Sequence, residues 1–384
     1  MKKFIEKELA RLEASGLRRT LRDIDGPQGS SVIVNGKRMI LLCSNDYLGL
    51  ANHPLVKQAA IDAVSEYGFG AGASRLVSGN MEAHRMLEYR IARFKSTESA
   101  LVFNSGYHAN LGCITAIAGR DTAIFSDRLN HASIVDACLL SRAEVKRYPN
   151  RDVDSLERLL KKTRLKKRLI VTDGVFSMDG TIAPLPDIIS LLERYNATLF
   201  IDDAHATGVL GASGRGTLEH FNISHQNIIQ MGTLGKAFGS FGAFIAGDAV
   251  LIELLINKAR PFIYTTALPP SVCAAASKAI DLVDSDPGLL MRLKERRKQL
   301  HDGLSGCGLD TMGSATPIIP ILLKDARKTV EASCALMERG VFIQAIRPPT
   351  VPDGTSRLRA TVTAGHSATE IDTVISAIKK VLSA

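Results

Sequence analysis

Apolar and polar positions alternate along this chain with two periods, and the period changes from region to region. Phe4, Ile5, Leu9 and Leu12 recur at helical spacing, so residues 2–21 read as an amphipathic helix that Gly26-Pro27-Gln28-Gly29 breaks. Ser31-Val32-Ile33-Val34 and Arg38-Met39-Ile40-Leu41-Leu42 then flank Asn35-Gly36, a strong hairpin signal. Pro54 at a helix start and Gly68 after its end bracket another helix.

From about residue 98 short apolar runs are mostly separated by helical segments: Ala100–Phe103, Thr122–Phe125, Glu144–Arg147, Arg168–Thr172, Thr198–Ile201, Ile228–Met231 and Gly242–Ala246. That alternation predicts an α/β domain with a largely parallel sheet. Parallel strands need right-handed helical crossovers, and ligands gather at their carboxyl ends. Beyond about residue 288 the texture changes. A charged helix (Met291–Leu304) leads to the apolar run Pro317–Leu323, a helix (Ala326–Arg339), strands (Val341–Ile346, Arg357–Thr361) and a final helix from Ser367. The expected division is an N-terminal helix and hairpin segment (1–48), a large α/β domain (49–288) and a smaller α+β domain (289–384).

Composition narrows the classes. With 45% hydrophobic and 23% charged residues over 384 positions, disorder and fibrous repeats are excluded. No run of 18 apolar residues occurs, so no spanning helix is expected. The stretch Met1–Leu12 has no apolar core of a secretory signal, and the six cysteines are scattered without a CxxC pair. A reducing cytoplasm is therefore expected, with no disulfide framework and no structural zinc. The net charge of +9 is densest in Lys161–Arg168, which closes a helical pattern. Basic residues there suit the helix dipole, and no aromatic side chains interleave with them, so nucleic-acid binding is not expected. Acidic small molecules remain as partners for the positive surplus.

Some motifs fail their context. Gly68-Phe69-Gly70-Ala71-Gly72-Ala73 matches a loose dinucleotide fingerprint but follows a helix instead of a strand. Gly232–Lys236 lacks the spacing of a P-loop, and no HExxH, GxSxG or EF-hand loop is present.

Four segments place a reactive side chain where a strand should end. Phe103–Asn110 turns from strand to helix at Gly106-Tyr107, where backbone N–H groups suit a phosphate. Asn130-His131-Ala132-Ser133 sets His131 at a helix start, where it is either a cap or a catalytic group. Leu199–His205 runs an apolar strand into Asp202, Asp203 and His205, and burying Asp202 is costly without a cationic partner. Asp and His are also metal ligands, but no further ligand cluster lies nearby, so no metal is expected. Met231–Gly239 holds one lysine, Lys236, in a Gly-rich apolar stretch with no acid adjacent in sequence. Desolvation lowers a lysine pKa and makes its amine a nucleophile able to form an imine. Together these segments supply what pyridoxal 5'-phosphate needs: an imine lysine (Lys236), an acid for the pyridinium nitrogen (Asp202) and part of a phosphate cup (Gly106, Tyr107).

On these residues the chain resembles the α-oxoamine synthases, pyridoxal-phosphate enzymes of the aspartate-aminotransferase fold. The likeness spans nearly the whole chain and rests on Ser44-Asn45-Asp46-Tyr47-Leu48-Gly49-Leu50, Asn130-His131-Ala132-Ser133-Ile134, Val175-Phe176-Ser177-Met178-Asp179-Gly180, Asp202-Asp203-Ala204-His205 and Thr233-Leu234-Gly235-Lys236. The resemblance implies that Lys236 holds the cofactor and moves the substrate's α-proton. It implies that Asp202 pairs with the pyridinium, His205 reaches the ring hydroxyl and His131 stacks on the ring and contacts substrate. Gly106, Tyr107, Ser177 and Thr233 would position the cofactor. Thr266 would reach the phosphate in the other subunit of a homodimer with shared sites. Asn45 would lie near the reacting centre, and Arg359 would grip the amino-acid carboxylate through a bidentate fork. Thr350 and Arg18 would contact the acyl substrate, with Arg19 next to Arg18 leaving a one-residue ambiguity.

The segment Ile346-Arg347-Pro348-Pro349-Thr350-Val351-Pro352-Asp353-Gly354-Thr355 is similar to the biotin-pathway branch of that family. This implies decarboxylative condensation of L-alanine with pimeloyl-CoA or a pimeloyl-acyl carrier protein, with no nucleic-acid or membrane partner. A sister synthase using glycine or serine, a transaminase or lyase, a non-catalytic binding module and a metal-dependent hydrolase are the other readings. Two positions depart from the family pattern. Asp173 stands where a glutamate is usual, which predicts a lengthened contact at the site's rim. Phe241 stands among residues that are usually small, which leaves the packing behind Lys236 open.

Overall fold

The computed structural model describes residues 1–15, 17–19 and 21–382. Helix α1 (Lys2–Ala14) is shorter than the predicted span to residue 21. The Ser15 hydroxyl donates to the Arg11 carbonyl at 2.6 Å, and Leu17 N–H reaches back to Leu12, which closes the helix early. Its apolar stripe of Phe4, Ile5 and Leu9 stays exposed. Strand β1 (Ile24–Asp25) pairs with β2 (Ser31–Val34), which forms the predicted hairpin with β3 (Lys37–Leu41). Asn35 and Gly36 both have positive φ, 52° and 73°, as a two-residue turn matched to strand twist requires. Helices α2 (Pro54–Tyr67) and α3 (Glu82–Lys95) follow; the His53 side chain caps α2 at one end and Gly68 ends it at the other.

The central sheet is built from β4 (Ser99–Phe103), β5 (Thr122–Asp127), β6 (Glu144–Tyr148), β7 (Lys167–Asp173), β8 (Thr198–Asp202), β9 (Ile228–Thr233) and β10 (Ala243–Gly247). The connecting helices are α4 (Gly106–Ile117), α5 (Ala132–Ser141), α6 (Val153–Lys162), α7 (Leu185–Tyr195) and the short α8 (Thr217–His220). Spatial order is β4-β10-β9-β8-β7-β5-β6, and β10 alone runs against its neighbours. The mostly parallel α/β expectation is borne out. Helices cover both faces, so β5, β9 and β10 are buried along their whole length and read as apolar runs without alternation. Edge strand β6 is the exception and keeps Glu144 and Arg147 exposed. The basic run divides between the end of α6 and the start of β7: Lys161 pairs with Glu157 at 3.1 Å and Lys167 with Asp121 at 2.6 Å.

Beyond the sheet come α9 (Ala249–Lys258), α10 (Arg260–Ile263), α11 (Pro270–Ser285) and the long α12 (Pro287–Gly306). Then follow β11 (Ile318–Lys324), α13 (Ala326–Glu338), β12 (Val341–Phe342), β13 (Gln344–Ile346), β14 (Ser356–Thr361) and α14 (Ala368–Leu382). The predicted strand Val341–Ile346 is two strands in two sheets. Val341–Phe342 pairs in parallel with Ile40–Leu41 of the N-terminal hairpin, whereas Gln344–Ile346 joins an antiparallel sheet of order β11-β14-β13. Between them the Ile343 carbonyl accepts from the Ser333 hydroxyl, and its side chain enters the main core. The N-terminal segment is thereby tied to the C-terminal one, beside the carboxyl ends of the central strands.

Candidate active site

The last residue of β7 is Asp173, of β8 Asp202 and of β9 Thr233. Three adjacent parallel strands thus deliver polar side chains to one edge, where their apolar runs stop. Asp202 is buried. Its Oδ2 accepts from Asn110 Nδ2 of α4 at 2.7 Å and its Oδ1 from Ala204 N–H at 2.9 Å. Asn110 in turn donates to the Ser133 hydroxyl at 2.8 Å, while its own Oδ1 is buried and has no partner among the described residues.

Lys236 follows β9 in a tight connection to β10, closed by Leu234 N–H on the Gly242 carbonyl. Gly239 makes this turn possible: its φ is +59°, and a Cβ there would lie 2.2 Å from Ala51 N. Ala237 and Phe238 are fully buried behind the lysine, with Phe238 edge-on to Phe94. Phe241 is more than half exposed and so is not part of the packed core that holds Phe238.

The Lys236 amine lies 2.9 Å from His205 Nε2. Burial draws its pKa down from 10.5 to about 8, opposed by Asp202 and Asp173 and assisted by Arg359. The acids absent from the lysine's own sequence neighbourhood are thus supplied by the fold. His205 is buried, and desolvation together with Lys236, Arg359 and His131 holds its imidazole well below its ordinary pKa. Its Nδ1 lies 2.6 Å from the Tyr47 hydroxyl.

His131 caps α5, with Nδ1 within 2.7 Å of the Ser133 hydroxyl, so it has the cap role and also faces the site. Desolvation lowers its pKa against the pull of Asp202. Its backbone N–H donates to Asp173 Oδ2 at 2.8 Å, so the shorter acid still reaches this neighbour at ordinary length. Asp173 is raised well above the usual carboxylate range by burial and by Asp202.

Arg359, on β14, is buried. Its Nε donates to the Ser177 carbonyl at 2.6 Å, Nη1 to the Thr361 hydroxyl at 3.1 Å and Nη2 to Asn45 Oδ1 at 3.3 Å. Two residues back on the same strand, Arg357 ion-pairs with Asp179. The two arginines thus clamp residues 177–179 against the C-terminal sheet. Thr233 Oγ1 donates to the Gly242 carbonyl at 3.1 Å. Gly106 and Tyr107 open α4 behind its cap Ser105, and their backbone N–H groups have no acceptor among the described residues. The Tyr107 ring is exposed and its hydroxyl bonds Asp136.

The structure therefore gathers Lys236, Asp202, His205, His131, Arg359, Asn45 and Ser177. Arg18 and Thr350 lie elsewhere, on a cleft of about 590 Å³ that Arg19, Arg22 and Arg347 also line. Arg18 pairs with Glu13 at 3.1 Å. Thr266 is exposed, its carbonyl held by Asn104 just past β4. Sequence reasoning missed Tyr47 and Asn110 as site residues, although both fall inside motifs it singled out, and it missed Arg357 entirely. Among the described residues no cluster of three or more metal-ligating side chains occurs, and no helix is long and apolar enough to cross a membrane.

The chain is similar to known proteins over most of its length. The family model "Aminotransferase class I and II" matches residues 37–378. The chain is 54% identical over 384 residues to 8-amino-7-oxononanoate synthase of Geobacter sulfurreducens, covering 99% of this chain and 98% of that protein. A serine palmitoyltransferase variant from S. paucimobilis, solved with bound PLP–myriocin, superposes with a TM-score of 0.93 at 30% identity over 98% of this chain and 96% of that one. The 8-amino-7-oxononanoate synthase of Francisella tularensis superposes with a TM-score of 0.78 at 29% identity over 90% and 98%.

Proposed function

Because the chain belongs to the class I and II aminotransferase family, we propose that it is a pyridoxal-phosphate-dependent acyltransferase that makes 8-amino-7-oxononanoate, the product named in its relatives. The reaction joins L-alanine to the acyl carbon of a pimeloyl thioester, releasing CO2 and the thiol of CoA or a carrier protein. One observation carries the reading: a lysine amine brought to a pKa of about 8 by burial, 2.9 Å from a neutral imidazole and close to a buried aspartate.

Features of the site suit the cofactor. The free N–H groups at the start of α4 match a phosphate, the amine of Lys236 matches an aldehyde, and buried Asp202 matches a ring N–H. The orphaned Asn110 Oδ1 beside Asp202 is a further buried polar atom awaiting a partner. When bound, pyridoxal phosphate supplies an aldehyde for amines and a protonated ring that draws electrons from the amino acid's α-carbon.

The chain's own groups do the rest. Asp202, fixed by Asn110 and Ala204, would hold a proton on the ring nitrogen of the bound cofactor. Lys236 Nζ, neutral in a good fraction near pH 8, takes the α-proton of alanine and returns one to the product. Positioned proton transfer of this kind contributes roughly two to four orders of magnitude in rate. Arg359 keeps Nη hydrogens for the alanine carboxylate while Ser177 fixes its Nε, so the fork that faces substrate is the Nη pair. His131 and His205 bound the two sides of the reacting centre, and Thr233 and Ser177 position the cofactor. The cleft that joins Arg18 to Thr350 takes the acyl donor, whose phosphates and free carboxylate suit its arginines. Thr266 serves the second site of a homodimer, and the enzyme works in the cytoplasm.

The better superposition on serine palmitoyltransferase favours, as a second reading, a sister synthase with another amino acid and acyl chain. Purified protein mixed with L-alanine and pimeloyl-CoA decides between them by free thiol and product mass, against glycine with acetyl-CoA and serine with a long acyl-CoA. Lys236→Ala abolishes both turnover and the borohydride-trapped pyridoxyl adduct on this peptide. Survival of either overturns the assignment of Lys236.

A further inference from the structure

Tyr47 is fully buried, and its hydroxyl sits 2.6 Å from His205 Nδ1. The rings meet edge-on at 6.1 Å and 70°. On the other edge of the same imidazole, Nε2 lies 2.9 Å from Lys236 Nζ. His205 is neutral, so one of these nitrogens carries a hydrogen and the other a lone pair. An ammonium has no lone pair and only donates. While Lys236 is protonated, Nε2 must therefore accept and Nδ1 must carry the hydrogen. That hydrogen needs an acceptor because the imidazole is buried, and the Tyr47 oxygen is the group in place. Burial pushes the Tyr47 pKa up to about 12, so it keeps its own proton, which points towards Asn45 Oδ1 at 3.5 Å.

We propose that Tyr47 is a positioning residue: its hydroxyl oxygen accepts Nδ1–H of His205 and so fixes the tautomer that presents the Nε2 lone pair to Lys236. The role of that tautomer in catalysis rests on the reading of Lys236 given above, but the tautomer itself belongs to the chain alone. Tyr47 is well placed for this. It ends the N-terminal segment, and its carbonyl accepts Ala364 N–H from the C-terminal domain at 2.7 Å. Three parts of the chain thus meet at Tyr47. The other titratable groups facing His205 are Arg359 and His131, and neither makes a hydrogen bond to it among the described residues.

In Tyr47→Phe the packing is kept and the oxygen is lost. A buried Nδ1–H without an acceptor is costly, so the hydrogen moves to Nε2 and the Lys236 ammonium loses its acceptor. The measurement is long-range ¹⁵N NMR of the imidazoles in the cofactor-free full chain at pH 7, with His205→Gln used for assignment. Nδ1–H is expected in the parent and Nε2–H in Tyr47→Phe, where the Lys236 midpoint also falls below about 8 by half a unit or more. Site-specific 3-fluorotyrosine at position 47 keeps the oxygen and restores the parent pattern. An Nε2–H tautomer in the parent, no change in Tyr47→Phe, or fluorotyrosine behaving like Phe would each overturn the proposal. Failure of Lys236 to trap pyridoxal phosphate, with these shifts as expected, would instead sink the functional reading and leave Tyr47's role standing.

Discussion

Asp202 and Asp203 are neighbours in sequence, both are buried, and they serve opposite sides of the end of β8. Asp203 meets Lys95 at 3.2 Å, with both side chains fully buried, and its oxygens also accept from the Thr217 N–H and hydroxyl. Lys95 completes its shell on the Thr207 hydroxyl and the Arg215 carbonyl. Every charge there has a partner. On the other side Asp202 is only partly matched: Asn110 and Ala204 hold it, and Lys236 faces His205 with no carboxylate in hydrogen-bond contact among the described residues. The same strand end thus carries a satisfied ion pair and an unsatisfied one. The first anchors the turn and the second keeps free capacity for a ligand. A buried charge whose shell is closed is scaffold; one whose shell is left open is chemistry.

The largest effect expected from breaking this contrast is on the closed side. Lys95→Met leaves Asp203 buried without a cation and should cost about 3–5 kcal/mol of stability. Urea unfolding measures it, and Lys95→Met combined with Asp203→Asn should recover most of the loss. The Lys236 midpoint near pH 8 should stay put. A loss below about 1 kcal/mol would mean that Lys95 is not the anchor described.

The arginines of β14 repeat the contrast two residues apart. Arg357 is closed by Asp179 and the Thr355 carbonyl, whereas Arg359 has its Nε held and its Nη side turned towards Asn45. Lysine lacks the planar fork, so Arg359→Lys should raise the KM for alanine by about ten- to a hundredfold, the loss of a charged hydrogen bond worth about 1.5–3 kcal/mol. Arg357→Lys should lower the melting temperature and leave that KM within about twofold, a change under about 0.5 kcal/mol. Equal KM effects in both would erase the distinction.

How far this was legible without coordinates follows from distance along the chain. The strands could be read because each is one contiguous apolar run, and reactive groups at strand ends sit next to those runs in sequence. Lys236 and Asp202 were found in that way. Tyr47 and His205 are 158 residues apart, Lys95 and Asp203 108, and Arg357 and Asp179 178. No local pattern encodes such meetings. The split of Val341–Ile346 was hidden for a related reason: one apolar run serves two sheets, and only the partner strands differ. Phe238 and Phe241 look alike in sequence, and burial alone assigns them different sides of the turn.

The smallest effect tests the open side through stability. Lys236 has a folded-state pKa of about 8 against 10.5 when free, so the unfolded chain holds its proton to higher pH. Below about pH 8 both states are protonated and the folded chain bears the whole penalty of a desolvated ammonium. Between 8 and 10.5 the folded chain sheds the proton first, and stability rises with pH. Above that window both states are neutral and nothing is left to gain. The side chain is only half-buried, so solvent screening reduces the full linkage value to about 1–2 kcal/mol. Lys236→Met in the cofactor-free chain should therefore be stabilising by that amount at pH 7 and indistinguishable from the parent above pH 10.5. A gain that does not fade with pH would trace to better packing of the thioether, and a loss at pH 7 would mean that the lysine is held by a full ion pair like Lys95, with the contrast between the two sides gone.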